Sequence, residues 1–144
     1  MLFLTLDASV FVAACQPHEP GYPASLALLQ SLLDNAVPLV EPAILPVEVG
    51  AALCRAGRDA AFAREYAEAI FTLPHLIMPG LDEHSARRSL ATATRHRLRG
   101  ADALYFTVAT QYGAHLVTLD AEQLRRAPAA IHACKPGAAA ALVK

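Results

Sequence analysis

The chain has 144 residues, is 55% hydrophobic and 17% charged, and carries a formal net charge of −1. That length fits one domain, and the apolar content excludes a disordered chain. Its three cysteines (Cys15, Cys54 and Cys134) form no Cys-x-x-Cys pair, which excludes a disulfide framework and points to a reducing compartment. No uncharged apolar stretch reaches the ~18 residues of a membrane helix, and the apolar start runs straight into Asp7 rather than forming a signal peptide. A cytoplasmic protein with no membrane contact is expected.

Leu2–Leu6 is a short apolar run of the kind buried in parallel sheets, and it ends at Asp7. A helical turn is expected at Val10–Ala14, then a loop over Gln16–Pro23, which holds three prolines and a glycine. Leu26, Leu29, Leu32 and Leu33 share a helical stripe, giving a helix over Ala24–Asn35. Pro38–Glu41 is a second strand, and Pro42–Ala56 a helix with proline at its start. Asp59 is placed to cap a helix over Ala60–Phe71. His75–Met78 is a third strand, closed by Pro79 and Gly80. Asp82 and Glu83 open a helix reaching about Leu98, with its arginines late, as the helix dipole favours. Gly100 breaks it, and Ala101–Gln111 is the next helix, ended by Gly113. His115–Leu119 is a fourth strand ending at Asp120. A helical turn over Ala121–Arg126 and a weak strand near Ile131 follow. Alternating strands and helices imply an α/β fold, a parallel sheet covered by helices on both faces. A single domain over residues 1–134 is expected, with residues 135–144, rich in alanine, as a flexible tail.

Four acids stand out. Asp7 and Asp120 follow strands, and in open parallel sheets ligands bind at the strands' carboxyl ends. Glu48 is the only charge between Pro42 and Cys54, on a stripe with Ile44, Val47 and Ala51. Asp102 is the only charge between Gly100 and Gln111, on a stripe with Tyr105, Phe106 and Ala109. Acids on apolar faces need a partner or they neutralise. No lysine precedes Lys135, and Arg99 cannot pair with all four, whereas a hard divalent cation can. A capping role is the competing account for Asp120 and Asp102. Glu48, in mid-helix, has no such alternative.

The segment His84–Ala101 holds five arginines and no acid. Arg95, Arg97 and Arg99 there suit a phosphate backbone, because the guanidinium fork binds two oxygens. A solvated helix face is the competing account, and it is stronger for Arg87 and Arg88. A receiver domain or Asp-x-Asp phosphatase is disfavoured: both need a lysine near the phosphoryl group, and Asp7-Ala8-Ser9 lacks the second aspartate.

Leu6-Asp7-Ala8-Ser9-Val10-Phe11-Val12 resembles the opening motif of PIN-domain nucleases. Pro42–Leu53, containing Pro46-Val47-Glu48-Val49, resembles their second motif. Arg99–Tyr105 and Gly113–Asp120 are similar to the third and fourth. The ordered set covers nearly the whole chain, and the size matches the VapC-type toxins. This resemblance implies a three-layer α/β/α fold with about five parallel strands. It implies an endoribonuclease dependent on Mg²⁺, with Mn²⁺ as a substitute, that leaves 5′-phosphate and 3′-hydroxyl ends. Asp7, Glu48, Asp102 and Asp120 would be catalytic residues and metal ligands. Ser9 and Thr118 would support the first and last acids, although Ser9 also fits a simple turn cap and Thr118 a plain strand residue. A homodimer and a cognate antitoxin are further implications. A non-catalytic RNA- or protein-binding scaffold and a DNA nuclease are the alternatives.

Overall fold

The structure is a computed structural model, and it describes residues 1–143. Among these residues, five short strands form one sheet: β1 (Leu4–Leu6), β2 (Leu39–Val40), β3 (Leu76–Ile77), β4 (His115–Val117) and β5 (Ala133–Cys134). They lie in the order β3-β2-β1-β4-β5, and every pairing is parallel. The strand β1 is central and wholly buried, which explains its unbroken apolar run.

Among the described residues, eight helices connect and flank the strands: α1 (Ala8–Ala13), α2 (Tyr22–Asp34), α3 (Leu45–Arg55), α4 (Ala60–Ile70), α5 (Glu83–His96), α6 (Gly100–Tyr112), α7 (Ala121–Arg126) and α8 (Pro136–Ala140). Helices α1 to α4 pack on one another, α5 pairs with α6, and α6 rests on β1, β2 and β4. The result is the three-layer α/β/α arrangement. Asp82 and Ser85 form a reciprocal capping box at the start of α5. Its end is set by Arg97 in the left-handed region, and α6 ends at left-handed Gly113.

Strand order reverses between β1 and β4, because the chain builds outward from β1 in one direction and returns to its other side. Such a switch point opens a crevice at the strands' carboxyl ends. Asp7 and the Thr118–Asp120 segment flank it.

Two local features differ in detail from the sequence pattern. Within residues 135–143, α8 packs on α2, Ala139 is fully buried and Val143 nearly so. Alanines lack a strong periodic signal, yet their small side chains let a five-residue helix lie close against its neighbour. Lys144 lies outside the described residues. The inward stripe of α3 also differs. Val47 is 61% exposed and Ala51 is exposed, while Leu45, Val49 and Leu53 carry the burial. Glu48 therefore sits at the border of the apolar face, where it meets the crevice.

The proline-bearing loop after α1 has a structural anchor. Arg58 Nη1 donates to the Cys15 carbonyl at 2.9 Å and to Gln16 Oε1 at 2.6 Å, and its guanidinium lies 3.9 Å over the Phe62 ring. Among the described residues, no helix is long and apolar enough to cross a membrane.

Candidate active site

Asp7, Glu48, Asp102 and Asp120 line a single cleft of about 280 Å³ at the crevice, with Ser9, Gln123, Arg55 and Arg99 beside them. A larger hollow of about 480 Å³ is lined by Pro42, Leu81 and Leu104. Its one acid, Asp82, is committed to capping α5, whereas the smaller cleft gathers four acids.

Asp7 directly follows β1 and is 6% exposed. Its Oδ2 accepts the Ser9 N–H at 3.1 Å and the Thr118 hydroxyl at 3.3 Å, so it also caps α1. The Thr118 hydroxyl in turn accepts the Asp120 N–H at 3.0 Å. One hydroxyl thus joins the first acid to the last. The Ser9 hydroxyl accepts the Leu119 N–H at 3.1 Å, tying the turn after β1 to the end of β4. Asp120 is both a site acid and a cap. Its Oδ1 takes the N–H groups of Glu122 (2.8 Å) and Gln123 (3.3 Å), leaving Oδ2 to face Arg99 at 3.4 Å. The capping and functional accounts are compatible, because a carboxylate has two oxygens.

Asp102 stands in the first turn of α6, where the dipole favours negative charge. Its Oδ2 lies 3.5 Å from Arg99 Nε. Burial still raises its pKa, helped by the neighbouring Asp7 charge and opposed by Arg99. Burial likewise raises Glu48, with Asp7 and Asp102 adding repulsion. Tyr105 is buried beside Glu48 and its phenol is pushed far up, first by burial and then by that carboxylate. No hydrogen bond of good geometry joins the two, and among the described residues Glu48 Oε1 is buried without a partner.

Sequence reasoning missed three residues here. Gln123 is 2% exposed, and its Nε2 donates to Asp7 Oδ1 at 3.2 Å and Asp102 Oδ1 at 2.8 Å. Glu41, fully buried at the end of β2, accepts the Leu6 N–H at 2.6 Å beside Asp7. Burial pushes its carboxyl well above the usual range, with Asp7 adding to the shift. Arg55, at the end of α3, lines the same cleft as Arg99. Only the charge isolation that singled out Glu48 and Asp102 could have flagged Glu41, and the following Pro42 made it look like a strand terminus.

Of the three arginines singled out for RNA, Arg99 alone lines the cleft, 74% exposed. Arg95 and Arg97 are exposed at the end of α5, and the Arg97 carbonyl accepts from Arg126.

Among the described residues, no three Asp, Glu, His or Cys side chains converge tightly enough to cage an ion as they stand. Gln123 lies between Asp7 and Asp102 instead. The donors nevertheless fit a hard cation. They are all carboxylate oxygens, two of the acids are disfavoured as lone anions, and among the described residues Glu48 Oε1 is buried without a partner.

A parallel α/β domain with carboxylates gathered at its switch point is the class that this geometry defines. The sequence model of the PIN domain matches residues 4–129, and the chain belongs to the PIN-domain family. Its fold is similar to that of a protein from Pyrobaculum aerophilum, at 22% identity and a TM-score of 0.69, covering 99% of this chain and 95% of that one. It is similar to the VapC20 toxin of Mycobacterium tuberculosis, described as cleaving the sarcin-ricin loop, at 16% identity and a TM-score of 0.70, covering 90% and 98%. It also matches VapBC2 of Rickettsia felis, bound there to promoter DNA, at 15% identity and a TM-score of 0.66, covering 93% and 98%. A comparison with curated proteins finds no match.

Proposed function

We propose that this protein is a divalent-cation-dependent endoribonuclease and the toxin of a type II toxin–antitoxin pair. The observation that carries the reading is the convergence of Asp7, Glu48, Asp102 and Asp120 on one cleft at the switch point of a PIN-family chain. Support for an RNA substrate comes from the likeness to a toxin described as cleaving the sarcin-ricin loop, and for an antitoxin partner from the likeness to VapBC complexes. A homodimer and a cytoplasmic location complete the proposal.

The four acids would hold Mg²⁺, or Mn²⁺ in its place. When bound, the ion supplies Lewis-acid activation of water and neutralises charge on the phosphate. The chain's own residues do the positioning. Asp7 is fixed on three sides by Ser9, Thr118 and Gln123, so its geometry is set before substrate arrives. Arg99 pairs with Asp102 and Asp120 from the rim, but exposed pairs of this kind contribute little. Its guanidinium is therefore free to exchange a carboxylate for a phosphodiester. Arg55 supplies a second cation in the cleft lining, and the exposed Arg95 and Arg97 would add to the attraction for a phosphate backbone.

The test is hydrolysis of a structured RNA before and after chelation. Cleavage in Mg²⁺ should vanish in excess chelator and return when Mg²⁺ or Mn²⁺ is restored, leaving 5′-phosphate ends. Undiminished cleavage in chelator would contradict the proposal.

A further inference from the structure

Gln123 sits on α7 at the floor of the cleft and is 2% exposed. Its two side-chain N–H groups go to Asp7 Oδ1 and Asp102 Oδ1. Its backbone N–H goes to Asp120 Oδ1. One uncharged residue therefore touches three of the four acids. The orientation of the amide follows from charge: turned around, its carbonyl would face two carboxylates. The cost of this arrangement is visible, since among the described residues Oε1 is buried without a partner, and unpaired buried acceptors are disfavoured.

Two carboxylates held this close, away from water, repel one another. An amide donor relieves part of that repulsion and brings only a partial charge. A divalent ion held by Asp7 and Asp102 would bring full charge instead.

We propose that Gln123 is a built-in stand-in for the cation, its amide bridging Asp7 and Asp102 while no ion is bound and yielding those oxygens when an ion arrives. The inference rests on the reading of the cleft as a divalent-cation site. It makes Gln123 a positioning residue that competes with the ion. By linkage, removing the stand-in weakens the cation-free protein more than the loaded one, so cation affinity rises.

The experiment is thermal unfolding of the full chain in chelator and in saturating Mn²⁺, with calorimetric titration of Mn²⁺. Wild type is compared with Gln123→Met, which keeps the length without a donor, and with Gln123→Asn, which is too short to reach both acids. Each variant should lose more thermal stability in chelator than in Mn²⁺, and bind Mn²⁺ about fivefold or more tightly than wild type. Should Gln123→Met fail to fold, Gln123→Asn carries the same prediction. An Mn²⁺ shift equal to that of wild type would overturn the inference and leave Gln123 as buried packing. A smaller shift would also overturn it, because the amide would then be a direct ligand. Absence of any Mn²⁺ shift in wild type would remove the cation reading itself, which separates that failure from a failure of this inference.

Discussion

Asp7→Asn is expected to lower RNA hydrolysis by about 100-fold or more, the scale of losing one charge-stabilising group from an active site. The fold should tolerate the change. Asparagine caps a helix as well as aspartate, so its oxygen can still take the Ser9 N–H and the Thr118 hydroxyl. Gln123 can keep its bond to Asp102 and give up the longer one to residue 7. What the variant lacks is the negative charge that a cation requires. Initial rates on a structured RNA, measured beside a thermal melt of each protein, separate the two effects. A loss below about tenfold in a well-folded variant would remove Asp7 from the chemistry.

The second large effect is on stability. Glu41, Glu48 and Asp102 all have carboxyl pKa values raised by burial. The folded chain therefore binds more protons than the unfolded chain over the window that opens near the ordinary values of 4.5 for Glu and 3.8 for Asp. The stability these groups contribute is fully present below that window. It is lost as pH rises through the folded-state values, at about 1.4 kcal/mol for each pH unit that separates the folded-state pKa from the unfolded one. In chelator, the melting temperature should fall from pH 5 toward pH 8, and Mn²⁺ should offset the part due to Glu48 and Asp102. Glu41 can be isolated. Glu41→Gln keeps an acceptor for the Leu6 N–H and removes the charge, so it should flatten the profile and melt higher than wild type at pH 8. Glu41→Ala strands the Leu6 N–H and opens a cavity, costing about 3 kcal/mol. A pH profile unchanged by Glu41→Gln would show that Glu41 is not the buried acid that sets it.

Much of this site could be read from the residues. Asp7 and Asp120 follow strands, and their meeting needs only the parallel order that alternating strands and helices imply. Glu48 and Asp102 are isolated charges in apolar stretches. The direction of α3 was less accessible. Its apolar residues occur on nearly every side, so periodicity could not tell the exposed Val47 from the buried Val49. Gln123 carries no charge and stands on a six-residue helix, too short for a periodic pattern. Its role emerges only when β4 lies beside β1 and brings α7 over Asp7. Glu41 is hidden for a related reason: its partner is a backbone N–H on a strand 35 residues away. The docking of α8 on α2 depends on small-residue fit, which hydrophobic pattern does not encode.

The most direct test of the central claim is calorimetric titration of Mn²⁺ into wild type and Asp102→Asn at neutral pH. Losing a group that merely orients a metal's ligands costs about 10- to 100-fold in affinity, and loss of a ligand should reach at least that range. Saturable binding by wild type, weakened at least about tenfold in the variant, is the predicted result. Equal affinity in the two proteins, or no binding heat in wild type, would contradict a cation site built from these four carboxylates.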